Sequence, residues 1–272
     1  MPARNRMAAG LLLTALGLLT GCAVTRPVVK IGLVAPFEGR YRAVGYEVIY
    51  AARLAVREAN AAGGVAGYSV ELVALDDSGG PDQALEQARK LAADPQVVGA
   101  LGHWLAATTQ AAAPEYPRLG LPLLATGAGS LPAGTPRLWP AGPCQLTTAL
   151  GCIEALEDLR LRAAAEITVT VPAPWPADSA DPGFADRYRA LSNGVEPGFY
   201  AVLAYDAARL LLDAVRRDIT ENKAPTRSGV GAALAASEFL GLSGPIQFTA
   251  AGQWAAPPAW TYLWQDGQLQ PR

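Results

Sequence analysis

The residue types that carry most enzyme chemistry are scarce in this chain. It holds one histidine, His103, and three cysteines, Cys22, Cys144 and Cys152. Zinc centres need three or four His, Cys or carboxylate ligands. A His/Cys metal site is therefore nearly excluded, and chemistry that needs two histidines is excluded outright. No GxSxG segment occurs, so the strained turn that presents a hydrolase serine is missing, and His103 has no evident serine beside it. Asp76-Asp77 has the look of a metal or phospho-acceptor pair, but a solvated loop closing a strand explains it more simply. Gly127-Ala128-Gly129 supplies only part of a dinucleotide-binding turn, and Pro132 breaks any helix that would follow. The expectation is a chain with no catalytic residue, no metal ligand and no cofactor.

Binding chemistry is better represented. A helix beginning near Ala106 offers free N–H groups and the positive end of its dipole, both of which favour a carboxylate. Thr108 lies two residues into it. Phe37 and Tyr41 could wall an apolar side chain, and Gly127 and Gly129 allow close backbone approach.

The elements that must position these residues alternate. Val28–Pro36 reads as a buried strand, and residues 37–44 as a loop. Gly45–Ala61 is an amphipathic helix with Ile49, Ala52, Val56 and Ala59 on one face, ending at Gly63-Gly64. Tyr68–Leu75, Val97–Gly102 and Leu121–Ala125 read as strands. A helix opens at Gly80-Pro81 and runs through Ala92, and Ala106–Leu119 is a helix kinked at Pro114. This β-α-β-α-β-α-β order predicts a parallel sheet with helices on both faces. In such sheets ligands sit outside the carboxyl ends of the strands, which selects the loops 37–41, 102–109 and 126–130.

Beyond residue 130 the pattern is less regular. Helices are expected over 146–161, 182–191, 199–217 and 230–240. Strands are expected over 166–171, 246–249 and 260–264, and a proline-rich loop over 172–183.

The composition bounds the class. Of 272 residues, 51% are hydrophobic and 17% charged, and the net charge is −2. The chain is far from a disordered profile, and it lacks the basic surplus of a general nucleic-acid binder. Its start reads as an address. Arg4 and Arg6 precede an apolar run over 8–19, too short to span a bilayer but of signal-peptide length. Leu19-Thr20-Gly21-Cys22 then resembles the lipobox of bacterial lipoproteins, which implies a signal peptide over 1–21, lipidation of Cys22 and an exported chain held on the outer face of the cytoplasmic membrane or in the periplasm. Outside the cytoplasm Cys144 and Cys152 could pair, provided 144–152 is not one helix, which would hold them about 12 Å apart. Two buried free thiols are the other reading.

Several segments carry a resemblance. KIGLVAPFEG (30–39), AVREANAAGGVAGYSVELVALDD (55–77), GPDQALEQARKLA (80–92), VGALGH (98–103) and AAAPEYPRLGLPLLATGA (111–128) follow one another. In this order they resemble the first lobe of the branched-chain amino-acid substrate-binding proteins of ABC importers. PGFYAVLAYDAARLLLDAV (197–215), LSGPIQFTAAGQW (242–254) and WTYLW (260–264) are similar to the late helix and closing hairpin region of that family. The resemblance implies an α/β, type I periplasmic-binding-protein-like fold. It departs after residue 130: the chain passes to ITVTVPAPWP (167–176) without two or three βα units, about 60–90 residues at about 30 per unit. The expected division is one full lobe from 28–130 and 166–250, with a remnant second lobe from 131–165 and 251–272.

The family also implies a site. A hydroxyl residue at the helix start and backbone groups after the fourth strand hold the amino acid's carboxylate and ammonium. Here Ala106 stands where that serine is usual, followed by Ala107 and Thr108. Gly127 matches the backbone contact, and Gly129 or Ser130 the next hydroxyl position. The implied partners are a small amino-acid-like solute, an ABC permease and, through the lipid alone, the membrane. The alternative function is a degenerate relative that acts as a structural or protein-interaction lipoprotein without tight ligand.

Overall fold

The computed structural model describes residues 26–139, 167–265 and 268–271. The expectations for Cys22, for Cys144 and Cys152 and for a helix over 146–161 lie outside these residues.

Four strands, β1 (Val28–Ala35), β2 (Ser69–Asp76), β3 (Val97–Gly102) and β4 (Leu123–Ala125), form a parallel sheet in the order β2-β1-β3-β4. The near-continuous apolar runs of β1 and β3 follow from burial on both faces. On one face Ile31, Leu33, Leu101 and Leu124 join the large core; on the other Val34, Ala100, Leu123 and Ala125 join a second cluster. The helices α1 (Arg42–Ala61), α2 (Pro81–Ala93), α3 (Ala106–Ala112) and α4 (Glu115–Arg118) connect or follow these strands. Helix α1 starts three residues before Gly45, because nothing in Arg42-Ala43-Val44 opposes helix. Residues 106–119 are two short helices rather than one kinked helix: Pro114 has no N–H to continue the ladder.

In the second half, α5 (Phe184–Ser192) and α6 (Phe199–Asn222) pack on α1, and α7 (Arg227–Ala235) packs on α6 and β3. Gly99 permits this close approach, since a Cβ there would lie 2.8 Å from Leu211 Cδ1. Residues 238–240, expected as helix, are strand. Here β6 (Glu238–Gly241) pairs antiparallel with β7 (Gly244–Gln247). The buried Asp206 carboxylate holds the turn of this hairpin, accepting from the N–H of Leu242 at 2.7 Å and of Ser243 at 2.8 Å.

The strand expected at 166–171 is β5 (Ile167–Val171), but it does not extend the parallel sheet. It pairs antiparallel with β8 (Trp260–Gln265), which pairs in turn with β9 (Gln268–Pro271), an unforeseen strand. Val169, Val171 and Tyr262 turn one face of this sheet into the large core. The open side of β4 is met at one point by residues 136–138: the Ala125 N–H donates to Pro136 O, and the Leu138 N–H donates to Ala125 O, both at 2.9 Å.

Candidate functional site

The loops after β1, β3 and β4 meet at the carboxyl edge of the parallel sheet. Asp76, at the end of β2, fixes the first. Its Oδ1 accepts from the N–H of Phe37 at 2.7 Å and of Glu38 at 3.3 Å, while its Oδ2 accepts from Ser78 Oγ. Burial raises the Asp76 pKa, but the hydrogen bonds from Ser78, Phe37 and Glu38 outweigh it and hold the carboxyl below its ordinary value. Phe37 and Tyr41 are half-buried against the large core.

Its neighbour Asp77 is not the solvated loop residue expected from sequence. It is 0% exposed, as is His103. His103 Nδ1 lies 2.9 Å from Asp77 Oδ2, and Nε2 lies 3.1 Å from the Tyr116 hydroxyl. A neutral imidazole protonated at Nδ1 satisfies all three groups: it donates to the carboxylate and accepts from the phenol. Burial, then the nearby Asp77 charge, raise the Tyr116 pKa, so the phenol keeps its proton. His103 therefore ties the β2, β3 and α4 regions together.

The main chain of His103 ties in the remaining loop. Its carbonyl accepts from Thr109 Oγ1 at 2.8 Å and from Thr126 Oγ1 at 3.2 Å. Both threonines are buried, and neither stood out in the sequence, because their shared acceptor is a main-chain oxygen. Gly127 follows in a tight place: a Cβ there would lie 2.2 Å from Thr109 Oγ1 and 2.6 Å from His103 O. Any side chain at 127 would drive the β3 and β4 loops apart.

The other candidates divide. Ala107 and Ser130 are exposed, and Ala106 and Gly129 are half-buried, with Gly129 at φ +122° beside Ala106 O, 3.5 Å from where its Cβ would be. Thr108 is 0% exposed, and its hydroxyl donates to Leu105 O at 3.1 Å. It is occupied inside its own turn and does not replace the absent serine at 106. A cavity of about 300 Å³ beside β4 lies away from these loops, lined by Tyr116, Pro122, Leu123, Pro136 and Leu234. Among the described residues no group of three His, Cys, Asp or Glu is placed to hold a metal ion.

A parallel α/β sheet with its loops gathered at the carboxyl edge, a late helix packed on the first, and a separate antiparallel sheet define the type I periplasmic binding fold. The comparisons agree. The sequence profile of the periplasmic binding protein family matches residues 28–151 and 139–268, and the chain belongs to that family. The family is one of binding proteins, not of enzymes. A Leu/Ile/Val-binding protein homolog of Brucella melitensis is 34% identical over 116 residues, 43% of this chain and 29% of that protein. The chain's matches span less than a third of the curated relatives' length. The branched-chain amino acid transporter substrate-binding protein LivJ of Streptococcus pneumoniae, solved with isoleucine, has TM-score 0.68 at 18% identity, covering 89% of this chain and 97% of that one. An ABC transporter substrate-binding protein of Desulfitobacterium hafniense, solved with Leu, has TM-score 0.69 at 18% identity, covering 89% and 99%.

Proposed function

We propose that this chain is the solute-binding component of an ABC importer, anchored outside the cytoplasm through Cys22, and that it captures a small amino acid of the branched-chain type. The observation that carries this reading is the meeting of the β3 and β4 loops, locked by the His103 carbonyl and by the side-chain-free approach of Gly127, at the same sheet edge as the β1 loop that Asp76 holds. The ligand carboxylate lies at the 106–108 turn, its polar end faces residues 127–130, and its side chain lies beside Phe37 and Tyr41. The relatives solved with isoleucine or leucine support the solute class. The lobe built on the parallel sheet of β1–β4 supplies this face, and among the described residues only the small antiparallel sheet of β5, β8 and β9 stands for the second lobe. Family capture closes two lobes on the solute. Affinity is therefore nearer millimolar than micromolar, a gap of about 4 kcal/mol.

A second reading is favoured by one observation. Position 106 is alanine, and Thr108 has its hydroxyl turned to Leu105, so the side-chain contact to the carboxylate is lost. The chain would then be an interaction lipoprotein without tight ligand. Titration calorimetry with leucine, isoleucine and valine separates the two. Weak heat with a matching rise in melting temperature supports capture. Micromolar binding would show the opposite face completed by other residues or a partner, and no heat with unchanged melting favours the second reading.

A further inference from the structure

We propose that the cleft between α1 and α6 is a second binding site, independent of the loop site, and that Arg209 holds there the carboxylate of a small monoanion with an apolar body. The cleft measures about 390 Å³, within the range of small-molecule sites. Its floor is apolar, formed by Ala55, Ala59, Val65 and Leu212. Arg209 stands at its edge with the guanidinium carbon 5.5 Å from the Tyr205 ring centroid and 5.6 Å from that of Phe239. Aromatic contact orients a guanidinium by its face and leaves its N–H edge for planar, bidentate acceptors. Among the described residues that edge has no hydrogen-bond or ion-pair partner.

The charges around it are already paired. Glu58 accepts from Arg187 Nε at 2.7 Å and from the Tyr205 hydroxyl. Asp213 meets Arg216 Nη2 at 2.6 Å and Arg217 Nε at 3.0 Å. Arg187 also pairs with Asp181, and Arg209 attracts Asp181 and the buried Asp206 only at longer range, pulling the pKa of each carboxyl down without a hydrogen bond to either. Glu58 and Asp213 on its rim oppose a second negative charge, so a monocarboxylate fits where a phosphate dianion would be repelled. The restricted guanidinium loses little freedom on binding.

The test uses the mature chain and two probes of one shape, hexanoate and its neutral amide hexanamide, followed by NMR shifts of residues lining the cleft. Hexanoate should bind at least tenfold more tightly than hexanamide. Arg209→Gln, at an exposed position that leaves the core untouched, should weaken hexanoate at least tenfold, and Phe239→Leu should weaken it by less. Gly127→Val, which spoils the loop site, should leave hexanoate binding unchanged. Equal binding of acid and amide, indifference to Arg209→Gln, or absence of hexanoate binding would each overturn the proposal. None of these outcomes depends on whether leucine binds at the loops.

Discussion

Asp206 is fully buried, and loss of hydration pushes its pKa up to about 6, although the N–H groups of Leu242 and Ser243 pull the other way. A carboxyl raised above its unfolded value contributes stability that is complete below the unfolded pKa and lost as pH rises through the folded one. Its contribution should fall between about pH 4 and pH 6, by an amount on the order of 3 kcal/mol. The stability difference between the native chain and Asp206→Asn, measured by urea unfolding across that window, should shrink by this amount as pH rises. A flat difference would show that the hairpin donors fully compensate burial. Arg137 poses the opposite case. It is 3% exposed, its Nε has no hydrogen-bond partner among the described residues, and burial pulls its pKa down. Removing an uncompensated buried charge is neutral or stabilising when the volume is kept. Arg137→Met should therefore leave the urea midpoint unchanged or raise it by the equivalent of about 1 kcal/mol. Neither residue was legible as special in the sequence. Asp206 lies within the expected helix 199–217, and its partners lie 36 and 37 residues on.

Helix α6 is organised by another helix. Glu47 of α1 is buried, and its Oε1 accepts from the N–H of Gly198 and of Ala201, both at 2.9 Å, at the first turn of α6. A carboxylate here satisfies orphan donors and complements the helix dipole. Glu47→Ala should cost about 2–3 kcal/mol, the range for a buried charged hydrogen bond left unmade. Glu47→Gln should cost less, because its amide oxygen can still accept. Thermal and urea melts of the two variants check the order, and equal losses would assign the effect to packing alone. Elements set by local pattern were legible in sequence: β1 and β3 as apolar runs, α2 by its Pro81 start, α1 by its 3–4 spacing. The hairpin β6–β7 was not. Val230, Leu234 and Ala235 continue a helical rhythm toward Leu240, and only a contact with distant Asp206 makes the strand preferable.

At the scale of the molecule, the parallel sheet and the loops at its carboxyl edge were legible because each βα unit closes locally. The pairing of β5 with β8 was not, since it joins residues about 90 positions apart and leaves no periodic trace. The gathering of the loops after β1, β3 and β4 at one sheet edge was legible, while the lock between the β3 and β4 loops was not, because it runs through the His103 main chain. For the proposed anchor, Cys22→Ala should release the chain from membranes on cell fractionation and leave its precursor uncleaved at Cys22. A variant that stays with the membrane at unchanged mass would refute lipidation.

The packing of α6 on α1, over the face of the sheet that carries Ile31, Leu33, Leu101 and Leu124, also sets an order in time. The four parallel strands are complete by residue 125, but the helices that finish covering them end at Asn222 and Ala235. At synthesis rates of about 5–20 residues per second, the intervening stretch of roughly 100 residues takes roughly 5–20 s to emerge. During that interval the nascent sheet presents a half-covered apolar surface. A nascent chain arrested before residue 199 should be cleaved readily by protease where one arrested after residue 260 is not.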